Sequence, residues 1–354
     1  MRIAVFSERL RAPYDEGIKN VATHLMEALA AEHEVLALTS QGVDDARLGL
    51  RNVDCNRLLL SGRLGGLIRR FQPQAIVYVP TACATPFALA RARVLRRYGG
   101  GARTALLTLQ RRRYTAWGRA WMRRLTPDLV LAHSRRTAGA LAALGCHTAL
   151  LPPAVDTQRF RPAATSEQKA SLRARYGIPG AAQVVTHVGH LKGKRNLAQL
   201  LELQAQPGYH VVVVGSSSTE QDTALKEALR GAGVTLIDTY VERIEDIYHL
   251  SDVYLFLAED ETAAIEVPLS VLEALACNLP VVSTPFGGLP DFFAEGSGLY
   301  YWHAQTELKT LVQAAVSAPC ATRGLVEART WPAAAAALVA LLGSAPSELR
   351  GAGL

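Results

Sequence analysis

A chain of 354 residues, 49% of them apolar and with a formal net charge of +7, is too long for one ordinary hydrophobic core and suits two. No apolar run approaches the ~20 residues that a bilayer-spanning helix needs, and Ile3 to Phe6 is followed at once by Ser7-Glu8-Arg9, which favours a first strand over a signal peptide. The five cysteines, Cys55, Cys83, Cys146, Cys277 and Cys320, show no C-x-x-C spacing, which argues against a zinc site and for reduced thiols in a cytoplasmic protein.

Charge divides unevenly along the chain. Residues 1–165 hold 25 Lys and Arg against 11 Asp and Glu, and the remainder is acidic. A basic half is expected to face something anionic, although all but one of its cations are arginine, a bias that coding alone can produce.

Strand-like apolar runs alternate with helix-period stretches, the sign of parallel α/β architecture. Arg2 to Phe6 opens the first unit. A loop through Pro13 to Gly17 and a helix with Ile18, Val21, Ala22, Leu25, Ala28 and Leu29 on one face follow. Strands are expected at Glu34 to Thr39, Ala75 to Val79, Thr104 to Leu109, Asp128 to Ala132 and Ala149 to Leu151. From the end of the strand at Thr104 to Leu109 runs TLQRRRYTAWGRAWMRRL (108–125), with Tyr114, Trp117, Trp121 and Leu125 at helical spacing. The commoner arrangement packs such a stripe on its own sheet; the alternative is an interfacial helix on anionic lipid. No nucleic-acid module is recognisable, so nucleic acid is not expected as a partner.

The polar stretch from Pro162 to about Arg175 is the expected boundary, giving domains 1–165 and 166–330, with an alanine-rich helix in 331–354. Strands of the second domain are expected at Gln183 to Val188, His210 to Val214, Val234 to Ile237, Asp252 to Leu257 and Leu279 to Thr284. Two facing domains of this kind place ligands beyond the carboxyl ends of their strands, in a cleft.

Three stretches carry candidate chemistry. Gly17 lets backbone approach a bound group at a helix start, although a single turn glycine is weak and no G-x-G-x-x-G is present. The loop Val188-Gly189-His190-Leu191-Lys192-Gly193-Lys194-Arg195-Asn196 puts two glycines and strong cations at a strand end, suited to a pyrophosphate or to water. In IEVPLSVLEALACNLPVVSTPFGGLPD (265–291), Pro268 fits a first helical turn, and the amides of Leu269, Ser270 and Val271 are ready donors. Glu273 is the one ionisable residue between Val271 and Cys277. A carboxylate so placed needs a partner, solvent or a polar ligand such as a ribose diol. The triplet Glu259-Asp260-Glu261 reads as a solvated loop.

The order of these motifs resembles the GT-B fold glycosyltransferases, specifically retaining family 4. The resemblance runs through IAVFSERLRAPYDEGIKNVATHLMEAL, DLVLAHSRRTAGAL, LPPAVDTQRFRP, VVTHVGHLKGKRNL, HVVVVGSSS and the 265–291 stretch. It implies two Rossmann-like doubly wound domains facing across a cleft, the first binding an acceptor and the second a UDP- or GDP-linked sugar donor. The 331–354 helix is expected to return to the first domain. By position, Glu273 matches the ribose-binding glutamate; Arg195 or Lys194 matches a lysine on the donor phosphates. His190 stands where an arginine shares that task, and Gly17, Leu269 and Ser270 match donor-side backbone.

Three departures fall on the sugar-facing side. Eight residues before Glu273 stands Ile265, with Glu266 one place late. Glu16-Gly17 replaces a double glycine, and Gln110 replaces a histidine common after the fourth strand. The expected protein is a metal- and cofactor-independent hexosyltransferase, with Arg195, Lys194 and Glu266 as catalytic candidates and Gln110 and Glu16 on the acceptor side. Its acceptor would be a glycan, a lipid-linked or a small molecule, with peripheral contact to an anionic membrane at the inner face. The alternatives are a silent relative acting as an interaction subunit and a nucleotide-sugar epimerase.

Overall fold

The computed structural model describes residues 1–14, 16–191, 195–215 and 222–344. The chain forms two compact units, 1–153 with 331–354, and 154–330. In the first, β1 (Arg2–Phe6), β2 (Glu34–Thr39), β3 (Arg51–Asn52), β4 (Ala75–Tyr78), β5 (Arg103–Thr108), β6 (Leu129–Ala132) and β7 (Thr148–Leu150) form a sheet of order β3-β2-β1-β4-β5-β6-β7. In the second, β8 (Gln183–Gly189), β9 (Tyr209–Gly215), β10 (Thr235–Ile237), β11 (Val253–Phe256), β12 (Val281–Ser283) and β13 (Leu299–Tyr301) take the order β10-β9-β8-β11-β12-β13.

Neighbouring strands pair in parallel throughout both sheets. Central strands such as Ala75–Tyr78 and Val253–Phe256 are buried along their whole length, as expected where helices cover both sheet faces. Strand order reverses at β1/β4 in one unit and at β8/β11 in the other. At such a reversal the crossover helices leave on opposite faces and open a crevice at the carboxyl ends of the strands.

The structure corrects several expectations. The edge strands β3 and β13 are additional; two residues, Arg-Asn, and the three of Leu-Tyr-Tyr are too short for an apolar run to reveal. The unit boundary lies at Pro153/Ala154, before the polar stretch. Val155 and Phe160 are buried in a cluster with Tyr248, Tyr254 and the helix Leu269–Ala276, so this loop belongs to the second core. Pro268 is the residue before that helix, with extended backbone (ψ 127°). Proline adopts that ψ freely, and Leu269 supplies the first helical turn.

The aromatic stripe at 114–125 also divides. Tyr114 and Leu125 pack against the core, but Trp117 and Trp121 are 71% and 42% exposed. The inward side of the helix Ala116–Met122 is taken by Gly118 and Met122. A Cβ at Gly118 would lie 3.3 Å from Thr115 Oγ1 and 3.8 Å from Pro86 Cγ, so this turn of the helix lies beside Pro86.

The helix Trp331–Gly343 packs on the helix Gly17–Ala30. Trp331 stacks on His24 with ring centroids 4.9 Å apart, and Ala334, Ala335, Leu338 and Leu342 are buried. The wider segment Arg323–Gly343 is apolar enough to cross a membrane by length and composition. Only its last 13 residues are α-helical, a length of about 20 Å against a hydrocarbon core of about 30 Å. Leu338, fully buried, should make Leu338→Ala cost about 2–4 kcal/mol, measured by denaturant unfolding; an unchanged midpoint would mean the helix is not docked.

Candidate functional site

The helix Leu269–Ala276 is fixed at both ends. Its C-terminus closes through Asn278, which takes left-handed backbone (φ 57°). Leu279 N–H donates to Ala274 O at 3.1 Å, a wrap that satisfies carbonyls the helix leaves open. The Arg323 guanidinium adds a 2.8 Å bond to Ala276 O, a cation where the helix dipole favours one. At the N-terminus, Val271 N–H already donates to Pro268 O at 3.1 Å and its side chain is buried. Val271 therefore drops out as a ligand donor. Leu269 and Ser270 remain, being the first two helical residues, whose amides have no carbonyl one turn back within the helix.

Glu273 lies among Val271, Leu272, Ala274, Leu275 and Ala276, all buried. Tyr248 Oη donates to Glu273 Oε2 at 2.6 Å. Burial raises the Glu273 carboxyl from its ordinary 4.5 to about 6, against the lowering effect of the Tyr248 bond and of Arg159. One oxygen is thus engaged by a phenol, and the half-buried side chain keeps an approach open to a hydrogen-bond donor such as a diol.

One helical turn earlier, Ser270 Oγ accepts a bond from Tyr254 Oη at 2.7 Å. Tyr254 belongs to β11, and its ring stacks on His187 of β8 at 6.4 Å. His187 Nδ1–H donates to Leu255 O at 2.9 Å. Burial, and then repulsion by Arg195, lower His187 to about 3, so it is neutral and presents Nε2 as an acceptor. Sequence reasoning missed His187, Tyr248 and Tyr254. His187 and Tyr254 sit in apolar strands, where a polar ring was the available signal; Tyr248 sits in an acidic helix, Ile244–Leu250, that gave none.

Arg195 is 5% exposed. Its guanidinium lies over the Phe256 ring at 5.3 Å, and Nη2 donates to Ala263 O at 3.1 Å. Burial lowers it to about 10, which leaves it charged at neutral pH. Its position depends on Gly189 at the end of β8: a Cβ there would stand 2.4 Å from Arg195 Nη1. The register pairs Gly189 with Gly215, and Phe256 with Ser283. Arg195, His187, Phe256 and Ser270 are thus gathered at the carboxyl ends of β8 and β11, the reversal point of the second sheet.

Glu266 is 3% exposed and Ile265 8%. The Glu266 backbone is clamped by Gly288 N–H, which donates to its carbonyl at 2.9 Å. Gly287 (φ +56°) passes so close that a Cβ would lie 2.3 Å from that carbonyl. The glycines of FGGLPD thus hold the segment before the helix. His190 is half-buried just beyond β8, and Lys194 lies outside the described residues. No group of three metal-ligating side chains occurs among the described residues. A cavity of about 400 Å³ bounded by Asn196, Glu202, Glu259, Trp302 and Lys309 includes none of Arg195, Ser270 or Glu273.

In the first unit, Gly17 opens the helix Gly17–Ala30, and Glu16 before it pairs with Lys19 at 3.1 Å. Gln110 lies two residues past β5, its carbonyl 3.3 Å from Thr108 Oγ1. Sequence reasoning also missed Glu8, 5% exposed at the β1/β4 reversal. Its carboxylate accepts from Tyr78 Oη, from Thr81 N–H at 2.8 Å and from Arg91 Nη1 at 2.7 Å.

Residues 168–317 match the family described as Glycosyl transferases group 1. The D-inositol 3-phosphate glycosyltransferase of Mycobacteroides abscessus is 29% identical over 155 residues, 41% of this chain and 33% of that protein. The sulfoquinovosyl transferase SQD2 of Arabidopsis thaliana is 27% identical over 321 residues, 83% of this chain and 61% of that protein. The chain spans about a third to three fifths of the length of such relatives. Among solved structures, Anabaena Alr3699/HepE in complex with UDP-glucose superposes with a TM-score of 0.73 at 15% identity, covering 97% of this chain and 100% of that one. The fold is GT-B.

A carboxyl that titrates near 6 when folded and near 4.5 when unfolded binds its proton more tightly in the native state. Stability is therefore lost as pH rises through that window, and the full penalty applies above it. Glu273→Gln keeps an acceptor for Tyr248 without the charge. It should raise the melting temperature by roughly 2–6 °C at neutral pH without nucleotide, with the gap closing toward pH 4.5; calorimetry that finds the same gap at both pH values contradicts this burial.

Proposed function

We propose that the chain is a retaining glycosyltransferase that moves a sugar from a UDP- or GDP-linked donor to an acceptor bound by the first unit. The observation that carries this reading is the convergence of Arg195, Ser270 and Glu273 at the β8/β11 reversal. The match to Glycosyl transferases group 1, which spans these residues, and the UDP-glucose held by a protein of the same fold support it.

Glu273 receives the ribose hydroxyls, and the amides of Leu269 and Ser270 meet the diphosphate at the helix start, where the dipole favours an anion. As the glycosidic C–O bond breaks, negative charge grows on the leaving phosphate oxygen. Arg195 is fixed beforehand by Phe256, Ala263 O and Gly189. It stabilises that charge without reorganising, and such preorganised electrostatics contribute most of the rate enhancement in many enzymes. Lys194 and His190 are assigned to the same phosphates. The positive charge comes from side chains and backbone, so the proposal calls for no metal ion or other cofactor.

No protein nucleophile is assigned. The acceptor hydroxyl attacks the same sugar face from which the diphosphate departs, and the departing phosphate takes its proton. Glu266 stands in for the glutamate that Ile265 replaces, with its backbone set by Gly287 and Gly288. Glu16, Gln110 and Gly17 are assigned to the first unit's share of the substrates.

Arg195→Ala should lower kcat by roughly 10²–10³, assayed by product mass with a panel of UDP- and GDP-sugars. Arg195→Lys should recover part of the loss, since a flexible point charge replaces a fixed fork. Wild-type rates in Arg195→Ala would remove Arg195 from the mechanism. Failure of the wild-type chain to bind any nucleoside diphosphate in calorimetry would favour a catalytically silent interaction subunit.

A further inference from the structure

The first unit carries an apolar and cationic patch that its own packing does not explain. Trp117 and Trp121 stand one turn apart on the helix Ala116–Met122, with ring centroids 5.6 Å apart. Phe87, 62% exposed, lies in the first turn of the helix Pro86–Tyr98, against whose first residue Gly118 packs. Exposed aromatic area of this kind is unfavourable in water and marks a surface that meets something else.

Around it stand Arg112, Arg113, Arg119, Arg123 and Arg124, all exposed. No Asp or Glu occurs between residues 108 and 125. The nearest acid in sequence, Asp128, is paired with Arg96 at 3.0 Å. The segment is held to the unit by other residues: Tyr114 Oη donates to Ala84 O at 2.6 Å, and Arg93 Nη1 donates to Arg124 O at 2.6 Å. Among the described residues, the two indoles make their one ring contact with each other.

We propose that this patch binds the surface of an anionic lipid bilayer, with Trp117, Trp121 and Phe87 entering the headgroup region and the arginines pairing with lipid phosphates. Charge complementarity selects this occupant. Indole rings are favoured at the bilayer–water interface, where an apolar body and a polar N–H are both accommodated. Each basic side chain near an anionic surface adds attraction that falls off within a Debye length. The patch belongs to the first unit alone and goes beyond the sugar-transfer reading, since lipid binding requires no donor.

The test uses the full chain with vesicles of phosphatidylcholine and of phosphatidylcholine mixed with phosphatidylglycerol, read by co-sedimentation and by tryptophan emission. The other two tryptophans, Trp302 and Trp331, are 5% and 8% exposed, so a blue shift on vesicle addition reports Trp117 and Trp121. Binding and a blue shift are expected with the mixed vesicles and not with phosphatidylcholine alone. Trp117→Ala/Trp121→Ala should abolish the shift and weaken partitioning about tenfold or more. Arg119→Ala/Arg123→Ala should weaken it severalfold and flatten its salt dependence. All four positions are exposed, and unchanged far-UV circular dichroism verifies folding. Equal behaviour toward both vesicles, or binding unchanged in the tryptophan variant, overturns the proposal. So does lipid-free self-association lost in that variant, which would assign the patch to a second copy, or retention of nucleic acid in place of vesicles.

Discussion

A half-buried carboxylate and a buried guanidinium at the carboxyl ends of one sheet's central strands constrain everything around them. Burial raises Glu273 and lowers Arg195, and among the described residues neither has an ionic partner within salt-bridge distance. Each is instead held by neutral groups: a phenol for the carboxylate, a ring face and one carbonyl for the guanidinium. Groups in this condition gain when a ligand brings hydrogen-bond donors to the carboxylate and negative charge to the guanidinium, because part of their desolvation has already been met by folding. The parallel sheet makes this possible, since its central strands end together and its buried rings supply rigid walls.

The same geometry explains why glycines gather here. Gly189 makes room for the guanidinium, and Gly287 lets a loop pass against Glu266. In both places a methyl group would collide with an atom of the site. The first unit builds its own reversal point differently. There Glu8 is fully engaged by Tyr78, Thr81 and Arg91, so that its charge is neutralised internally. That pattern suits a structural brace and contrasts with the under-satisfied pair in the second unit.

Much of this was legible in the residues. Alternation of apolar runs and helical periods gives two doubly wound sheets, and a carboxylate alone in an apolar helix marks Glu273. What stayed hidden depends on contacts distant in sequence. His187 and Tyr254 look like interruptions of apolar strands until the register sets them beside Arg195. The two-residue β3 has no periodicity to detect. Trp117 and Trp121 share helical spacing with Tyr114 and Leu125, and spacing alone cannot tell which pair turns inward. The boundary at Pro153 was obscured because Val155 and Phe160 sit in a stretch that reads as a loop yet packs as core.

The central claim is that Glu273 meets a ribose diol. A double-mutant cycle tests it directly: calorimetric affinities of wild type and Glu273→Gln for UDP and for its 2′,3′-dideoxy analogue, repeated with the guanosine pair. The account predicts that removing the diol weakens binding to wild type at least tenfold, about 1.4 kcal/mol, and has little further effect in Glu273→Gln, since the two changes remove one interaction. Equal losses in both proteins would contradict it and place the ribose elsewhere.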